Sequence, residues 1–134
     1  MARRSRRPAQ GYVMKRLISA LQNSIRAFRR LAAGEAAFRQ ELALLVLAFP
    51  VAWFVASSWR GYALLVGAVL LLMLVEVLNT GIEAACNAVS REFNRDIQLA
   101  KDCGSLAVLI AIVIAAGIWV LAIAERLSWV SMQP

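Results

Sequence analysis

Three long apolar segments most constrain what this chain can fold into, and they cover residues 42–58, 61–82 and 103–124. A helix needs about 20 mainly apolar residues to cross the hydrocarbon core of a bilayer, with about 17 as the lower limit. The chain is also 61% hydrophobic, well above the roughly 45 to 50% of soluble domains. The sequence therefore predicts an all-α integral membrane protein with three transmembrane helices. Pro50 predicts a kink in the first of them, with a re-entrant hairpin as the weaker alternative.

The positive charges are concentrated before the first apolar segment. Ten of the fifteen Lys and Arg residues precede residue 41, and the net charge is +7. Because cytoplasmic flanks of membrane helices carry an excess of Lys and Arg, we expect the N-terminus and the 83–102 connection in the cytoplasm. The 58–60 turn and the C-terminus are then external. Nucleic-acid binding is disfavoured because the basic segment lacks a fold that reads nucleic acid.

The residues before the first apolar segment divide into two parts. Residues 1–11 are basic, contain Pro8 and Gly11, and predict a disordered arm attracted to anionic lipid headgroups. Residues 12–31 predict an amphipathic surface helix at the membrane interface, with a coiled-coil helix as the alternative. Its apolar positions recur every three or four residues: Val13, Leu17, Leu21, Ile25 and Phe28. Residues 32–134 then form the three-span membrane domain.

Glu76 is the one acidic residue within the apolar segments. An ionised side chain at the centre of a bilayer costs roughly 2.5 kcal/mol or more, so such residues usually face a bundle interior and have a function. Asn79 and Glu83 follow at spacings of three and seven, which places all three side chains on nearly one helix face. A purely structural ion pair is the alternative, but no Lys or Arg lies in an apolar segment. We therefore predict a functional site around Glu76.

The residue types at this site favour magnesium-assisted phosphoryl transfer. The chain has no histidine, which makes a zinc site improbable, whereas Mg²⁺ takes oxygen ligands from one or two carboxylates and from nucleotide phosphates. Glu35 and Glu83 are predicted at the same membrane boundary and could supply these carboxylates. Glu76, about 10 Å deeper than Glu83 along the helix, could act as base toward a lipid hydroxyl. The sequence contains neither a Walker loop nor a protein-kinase signature.

Three motifs stand out in the chain, namely Glu35-Ala-Ala-Phe-Arg-Gln-Glu41, Val75-Glu-Val-Leu-Asn-Thr-Gly-Ile-Glu-Ala84 and Ala100-Lys-Asp-Cys-Gly-Ser105. They resemble the signature of the prokaryotic diacylglycerol kinases, within a similarity that runs from about Arg16 to Trp119. The resemblance implies a homotrimer with shared active sites in the bacterial cytoplasmic membrane. It also implies transfer of the γ-phosphate of MgATP to diacylglycerol, which gives phosphatidic acid. A related branch of the family phosphorylates undecaprenol, but the Lys-Asp-x-Gly-Ser form favours diacylglycerol.

The resemblance further implies roles for individual residues. Glu76 is the catalytic base, Glu35 and Glu83 hold Mg²⁺, and Asn79 supports them. The residues expected at ATP are Arg16, Asn23, Glu35, Glu83, Glu92, Asn94, Lys101 and Asp102. Those expected at the lipid substrate are Arg16, Ser24, Arg39, Gln40, Glu41, Glu76, Ser105 and Trp119. Three asparagines depart from the family pattern: Asn23 replaces a frequent Tyr, Asn87 a common Asp, and Asn94 a His that can contact the nucleotide.

Two other functions compete with a lipid kinase on the residues alone. A small proton-coupled transporter could use the intramembrane Glu76 to exchange a proton for a cationic substrate. It would need a pathway across the whole bilayer, yet no second span carries a matching acid. An assembly subunit without activity of its own is the other reading.

Overall fold

The computed structural model describes residues 8–131, and four helices account for nearly all of them. They are α1 Pro8–Gly34, α2 Ala36–Val55, α3 Trp59–Val89 and α4 Arg95–Ser131. The described residues include no strand. Three helices, over Ala36–Val55, Trp59–Val89 and Arg95–Ser128, are long and apolar enough to cross a membrane. The predicted all-α membrane protein with three apolar spans is confirmed.

The first compact unit contains α1 and ends at Ala36. The helix begins at Pro8, earlier than the predicted start at residue 12, because proline with its preset φ suits the first position of a helix. Residues 8–11 of the predicted disordered arm are therefore helical, and residues 1–7 lie outside the described part. Large apolar side chains of α1 are exposed, namely Tyr12, Val13, Met14, Leu17, Ile18, Leu21, Ile25 and Phe28. The placement of α1 on a membrane surface stays a prediction.

The second unit, from Ala37 onward, holds the three apolar helices. α2 continues through Pro50 to Val55, so there is no re-entrant turn at this proline. α3 begins after Ser58, whose Oγ accepts a hydrogen bond from the Gly61 N–H at 3.1 Å. This cap supplies a partner for one of the N–H groups that a helix start leaves unpaired. α3 then extends to Val89, past the predicted end of the span at residue 82.

Small residues on α4 bring it against α3. Among the α4 residues whose side chains the structure describes, the buried ones are Gly104, Ala111 and Ala115, at intervals of seven and four that lie on one helix face. The opposing helix, α3, buries larger side chains, including Leu65, Val69 and Leu72. Small residues let membrane helices approach closely without a hydrophobic force between them. Farther along α4, Trp119 Nε1 donates a hydrogen bond to the Leu65 carbonyl at 3.1 Å, which joins the same two helices.

α2 packs into the bundle through one buried face. Its buried residues are Phe38, Glu41, Ala48 and Ala52, at intervals of three, seven and four. Ala52 is fully buried and packs in a cluster with Leu65 and Val66 of α3. At this end of the bundle the rings of Trp53, Trp59 and Tyr62 meet edge to face, with centroids 5.3 to 6.1 Å apart. Such aromatic residues are typical of a membrane–water interface.

Replacing Ala52 by leucine tests the packing of α2. The added side chain has no space at a fully buried position, so we expect a loss of about 1 to 3 kcal/mol in unfolding free energy. The measurement is thermal unfolding of the purified protein in detergent. Ala43→Leu on the exposed face of the same helix is the matched control and is expected to leave the unfolding temperature nearly unchanged. Equal shifts for the two variants would contradict this packing.

Candidate active site

Among the described residues of the second unit, three polar side chains are buried, all toward the same end of the bundle. Glu41 on α2 and Glu76 and Asn79 on α3 are 9%, 8% and 9% exposed. The carboxylates of Glu41 and Glu76 lie near enough to interact electrostatically. Glu76 was predicted at a functional site from its place in an apolar segment, and the structure adds Glu41 as its neighbour.

The apolar packing of the helices explains why these groups are buried. On α3 the inward positions recur as Leu65, Val69, Leu72, Glu76 and Asn79, at intervals of three and four. On α2 the inward position three residues after Phe38 is Glu41. The polar residues therefore occupy places that apolar residues fill elsewhere along the same faces. Removing a polar group from water costs free energy that an apolar side chain does not cost, so this end of the bundle is specialised for something other than stability.

Asn79 connects the buried part of the site to its outer part. Its Nδ2 donates a hydrogen bond to Glu83 Oε1, one turn along α3, at 3.2 Å. Glu83 is half-buried, so its carboxylate remains accessible from the end of the bundle. Among the described residues, Asn79 Oδ1 and Glu41 Oε2 are buried without a hydrogen-bond partner. The predicted stripe of Glu76, Asn79 and Glu83 is thus one face of α3, and one of its oxygens, Asn79 Oδ1, lacks a donor.

α4 contributes a cation and a close backbone contact. Lys101 Nζ donates a hydrogen bond to Asn87 Oδ1 at 2.7 Å, which joins α4 to the outer end of α3. Gly104 lies against Asn79 so closely that a Cβ at this position would be 3.2 Å from Asn79 Cγ. Asp102 and Ser105, two further predicted site residues on α4, are exposed. Sequence reasoning did not find the partners of Lys101 and Gly104, because the register between two helices is not encoded in the spacing of either one.

Asn94 has a structural role that the sequence prediction did not include. Its Oδ1 accepts hydrogen bonds from the Asp96 N–H at 2.8 Å and the Ile97 N–H at 3.2 Å, as an N-cap of α4 does. The signal was present in the sequence, since asparagine directly precedes the first residues of the helix. The predicted contact of Asn94 with ATP stays a prediction, and the capping oxygen is already engaged.

The predicted site residues in the first unit lie on α1 or directly after it. Arg16 stands over the Tyr12 ring with 5.8 Å to its centroid. Asn23 Oδ1 accepts a hydrogen bond from Arg26, and the Ser24 hydroxyl donates to the Ala20 carbonyl at 3.0 Å. Glu35 is exposed between α1 and α2, and its N–H donates to the Leu31 carbonyl at 2.8 Å. All four side chains are exposed within this part of the chain.

The remaining predicted site residues are exposed, except Trp119. Arg39 and Gln40, expected at the lipid, lie near the start of α2, and Glu92, expected at ATP, lies in the turn before α4. Trp119 is half-buried and lines an apolar cavity of about 330 Å³ between α2, α3 and α4. The other residues around this cavity are Leu44, Leu47, Ala48, Val51, Val69, Leu72, Ile112, Ala115 and Ala116. Its lining is suited to hydrocarbon.

The carboxylate at the site fits a hard cation that is bound partly by the protein and partly by a phosphate ligand. Within residues 8–131 no three His, Cys, Asp or Glu side chains form a group that could hold a metal alone. Cys86 and Cys103 are free thiols. The half-buried Glu83 offers carboxylate oxygen, which suits Mg²⁺ bound by one or two carboxylates and by substrate phosphates.

Comparisons with known proteins point to one family. A family model described as "Prokaryotic diacylglycerol kinase" matches residues 22–123. The chain belongs to the prokaryotic diacylglycerol kinase family. Its relatives in that family include proteins named diacylglycerol kinase from Escherichia coli K12 and Pseudomonas aeruginosa. The first is 39% identical over 104 residues, 78% of this chain and 85% of that protein. The second is 38% identical over 106 residues, 79% and 86% of the two chains.

Family membership confirms the function predicted first from the sequence. The chain is an enzyme, a membrane-bound lipid kinase that phosphorylates diacylglycerol. A more distant relative, the diacylglycerol kinase of Haemophilus influenzae, is 30% identical over 103 residues, 77% of this chain and 87% of that protein. Neither the undecaprenol alternative nor the proton-coupled transporter is favoured by these relatives. A kinase requires a phosphoryl donor, and ATP is the donor that this family implies.

Replacing Asn94 by alanine tests its role at the start of α4. Loss of the capping oxygen should cost about 1 kcal/mol of unfolding free energy. The Asp96 and Ile97 amides should also exchange hydrogen faster with solvent. Asn94→Asp keeps an acceptor at the same place and is the control, expected to retain slow exchange. If both variants exchange like the unaltered protein, Asn94 does not cap this helix.

Proposed function

We propose that Glu76 is the general base that activates the free hydroxyl of diacylglycerol for attack on the γ-phosphate of MgATP. The observation that carries this assignment is the burial of Glu76 between apolar helices, next to Glu41 and on one face with Asn79 and Glu83. A base must reach the proton that it removes, and a lipid hydroxyl lies below the headgroups. A buried carboxylate on a membrane-spanning helix meets that requirement.

In this step the lipid hydroxyl loses its proton and gains the phosphoryl group. The hydroxyl O–H bond breaks and its proton goes to the Glu76 carboxylate, while the hydroxyl oxygen forms a bond to the γ-phosphorus. The bond from the γ-phosphorus to the bridging oxygen breaks, so that ADP leaves. General base catalysis of this kind contributes about 10² to 10⁴ in rate. Glu76 returns its proton to solvent after phosphatidic acid departs.

The nucleotide is held at the outer end of the helices. Seven residues separate Glu76 from Glu83, which corresponds to about 10 Å along the helix axis. Glu83 and Glu35 are proposed to hold Mg²⁺, which neutralises the charge that develops on the phosphates. Lys101 is proposed to add a flexible positive charge, and the exposed Asp102 and Glu92 are also proposed to contact the nucleotide. Arg16, Asn23 and Asn94 complete the proposed nucleotide contacts.

The lipid side of the site is proposed to combine polar residues with an apolar cavity. Ser24, Arg39, Gln40, Glu41 and Ser105 would contact the glycerol backbone and esters. The cavity beside Trp119 is lined only by apolar and aromatic side chains, and it suits an acyl chain. Its volume of about 330 Å³ lies within the range of sites that hold small apolar ligands.

Assembly and topology are also part of the proposal. We infer a homotrimer in the bacterial cytoplasmic membrane, with its active sites shared between protomers. Large apolar residues remain exposed on α3, among them Leu64, Leu71, Leu74 and Leu78, and a partner helix or lipid must cover them. The concentration of Lys and Arg before residue 41 supports a cytoplasmic N-terminus. The C-terminus is then external.

The direct test is an assay of the purified protein with MgATP and diacylglycerol in mixed micelles. Phosphatidic acid should form, and Glu76→Gln should lower turnover by at least about 100-fold, the contribution expected of a general base. Glu125→Gln makes the same chemical change on an exposed part of α4 and is the matched control. An unaltered protein that phosphorylates undecaprenol but not diacylglycerol would overturn the lipid assignment. Full turnover of Glu76→Gln would overturn the role of Glu76.

A second prediction concerns the lysine at the nucleotide. Asn87→Asp places a carboxylate at the partner of Lys101, and an exposed ion pair is worth about 0 to 1 kcal/mol. The KM for ATP should therefore rise by up to about fivefold, and added salt should reduce the difference. Turnover at saturating ATP should stay the same, because Lys101 is then released to the phosphates. Asn87→Ala is the control, and its KM should not rise; a higher KM in both variants would contradict the competition.

A further inference from the structure

Gly104 is the position at which α4 meets the buried polar face of α3. A Cβ there would overlap Asn79 Oδ1 and would lie 3.2 Å from Asn79 Cγ and 3.8 Å from Asn79 Cα. Any side chain at this position must therefore displace the Asn79 amide. Elsewhere the glycines are under no such constraint. A Cβ would meet nothing within 4 Å at Gly11, Gly34, Gly67, Gly81 or Gly117, and only ordinary contacts of 3.6 Å or more at Gly61.

The displaced group is the one that supports Glu83. Asn79 is 9% exposed, and its Nδ2 donates to Glu83 Oε1 at 3.2 Å. Its Oδ1 has no hydrogen-bond partner among the described residues, so no hydrogen bond holds that end of the amide. The space above Gly104 determines where this oxygen lies. The direction of Nδ2 toward Glu83 follows from it, because the amide is a rigid plane.

We propose that Gly104 is a positioning residue for phosphoryl transfer, which by its missing side chain keeps the Asn79 amide directed at Glu83. This inference rests on the proposed function, in which Glu83 holds Mg²⁺. A carboxylate that binds a metal is oriented by the groups hydrogen-bonded to it, and loss of such a group typically costs about 10- to 100-fold in metal affinity. Gly104 acts two contacts away from the metal, through Asn79 and then Glu83.

A simpler role for Gly104 would be close packing of two membrane helices. Ala111 and Ala115 on the same face of α4 are buried at the α3 contact and show that a methyl group is accepted there. If packing were the whole role of Gly104, its replacement by alanine would lower stability without changing the Mg²⁺ dependence. A positioning role changes the Mg²⁺ dependence and does so only while Asn79 is present.

The experiment compares Gly104→Ala with Gly117→Ala, a glycine of the same helix around which a Cβ has open space. For each protein, turnover is measured against Mg²⁺ concentration at saturating diacylglycerol, together with the KM for diacylglycerol. We expect the Mg²⁺ concentration at half-maximal turnover to rise about tenfold or more in Gly104→Ala. The KM for diacylglycerol should be unchanged, and Gly117→Ala should match the unaltered protein.

Asn79→Ala and the double variant Asn79→Ala, Gly104→Ala complete the cycle. Asn79→Ala should raise the half-saturating Mg²⁺ concentration as Gly104→Ala does, and the double variant should be no worse than Asn79→Ala. Residues that act through one another give such non-additive effects. The unfolding temperature in metal-free buffer is a readout that needs no activity. Gly104→Ala should lower it in the unaltered background and leave it unchanged in the Asn79→Ala background, where the side chain that blocks the space has been removed.

Several results would overturn the inference. One is an unchanged Mg²⁺ dependence of Gly104→Ala, and another is an equal effect of Gly117→Ala. Multiplied effects of the two substitutions in the double variant would also contradict it. If Gly104→Ala alone does not fold, the double variant must fold and behave as Asn79→Ala does, and its failure to fold counts against the inference. Absence of turnover in the unaltered protein would instead contradict the proposed function, and the unfolding temperatures would still test the contact between Asn79 and Gly104.

Discussion

The structure depends on the cost of burying polar groups between apolar helices. Glu41, Glu76 and Asn79 occupy inward positions on faces that are otherwise Leu, Val, Ala and Phe, and each is more than nine-tenths buried. Apolar residues at these positions would pack without the free-energy cost of removing a polar group from water. A buried carboxylate carries that cost unless it is paired or neutralised. Natural chains accept such costs at functional sites and recover stability elsewhere. Here the recovery comes from the long apolar contact between α3 and α4 below the polar end.

The close contact of α3 and α4 makes a site possible in so small a chain. Gly104, Ala111 and Ala115 remove side-chain volume from one face of α4, so that its backbone approaches α3. At the apolar end this approach lets Trp119 donate a hydrogen bond to a helix carbonyl of α3. At the polar end the same approach places Asn79 directly over Gly104. One row of small residues therefore supports both the stability of the bundle and the geometry of its polar groups.

The sequence predicts the helices and the principal site residues, but not the contacts between helices. Three spans follow from hydropathy, and the stripe of Glu76, Asn79 and Glu83 follows from 3.6 residues per turn, because both properties belong to single helices. The burial of Glu41 does not follow, since it stands in a polar run beside Gln40 and only the rotation of α2 shows which of the two faces inward. The helix ends also differ from the predicted spans, because polar residues at a span boundary continue a helix as readily as they end it. The cap at Asn94 could have been predicted from its position before α4, but the resemblance assigned that residue to the nucleotide instead.

The register between α3 and α4 determines where the ammonium group of Lys101 lies. The contacts Asn79 with Gly104 and Asn87 with Lys101 are eight residues apart on α3 and three apart on α4. Those separations correspond to about 12 Å and about 4.5 Å along the two helix axes. The Lys101 side chain spans the difference, so its ammonium group lies toward the outer end of α3, away from Glu76. A neutral partner at residue 87 holds that charge only by a hydrogen bond. In the proposed function, the phosphates of ATP take over this charge, while Glu76, the proposed base, remains at the depth of the lipid hydroxyl.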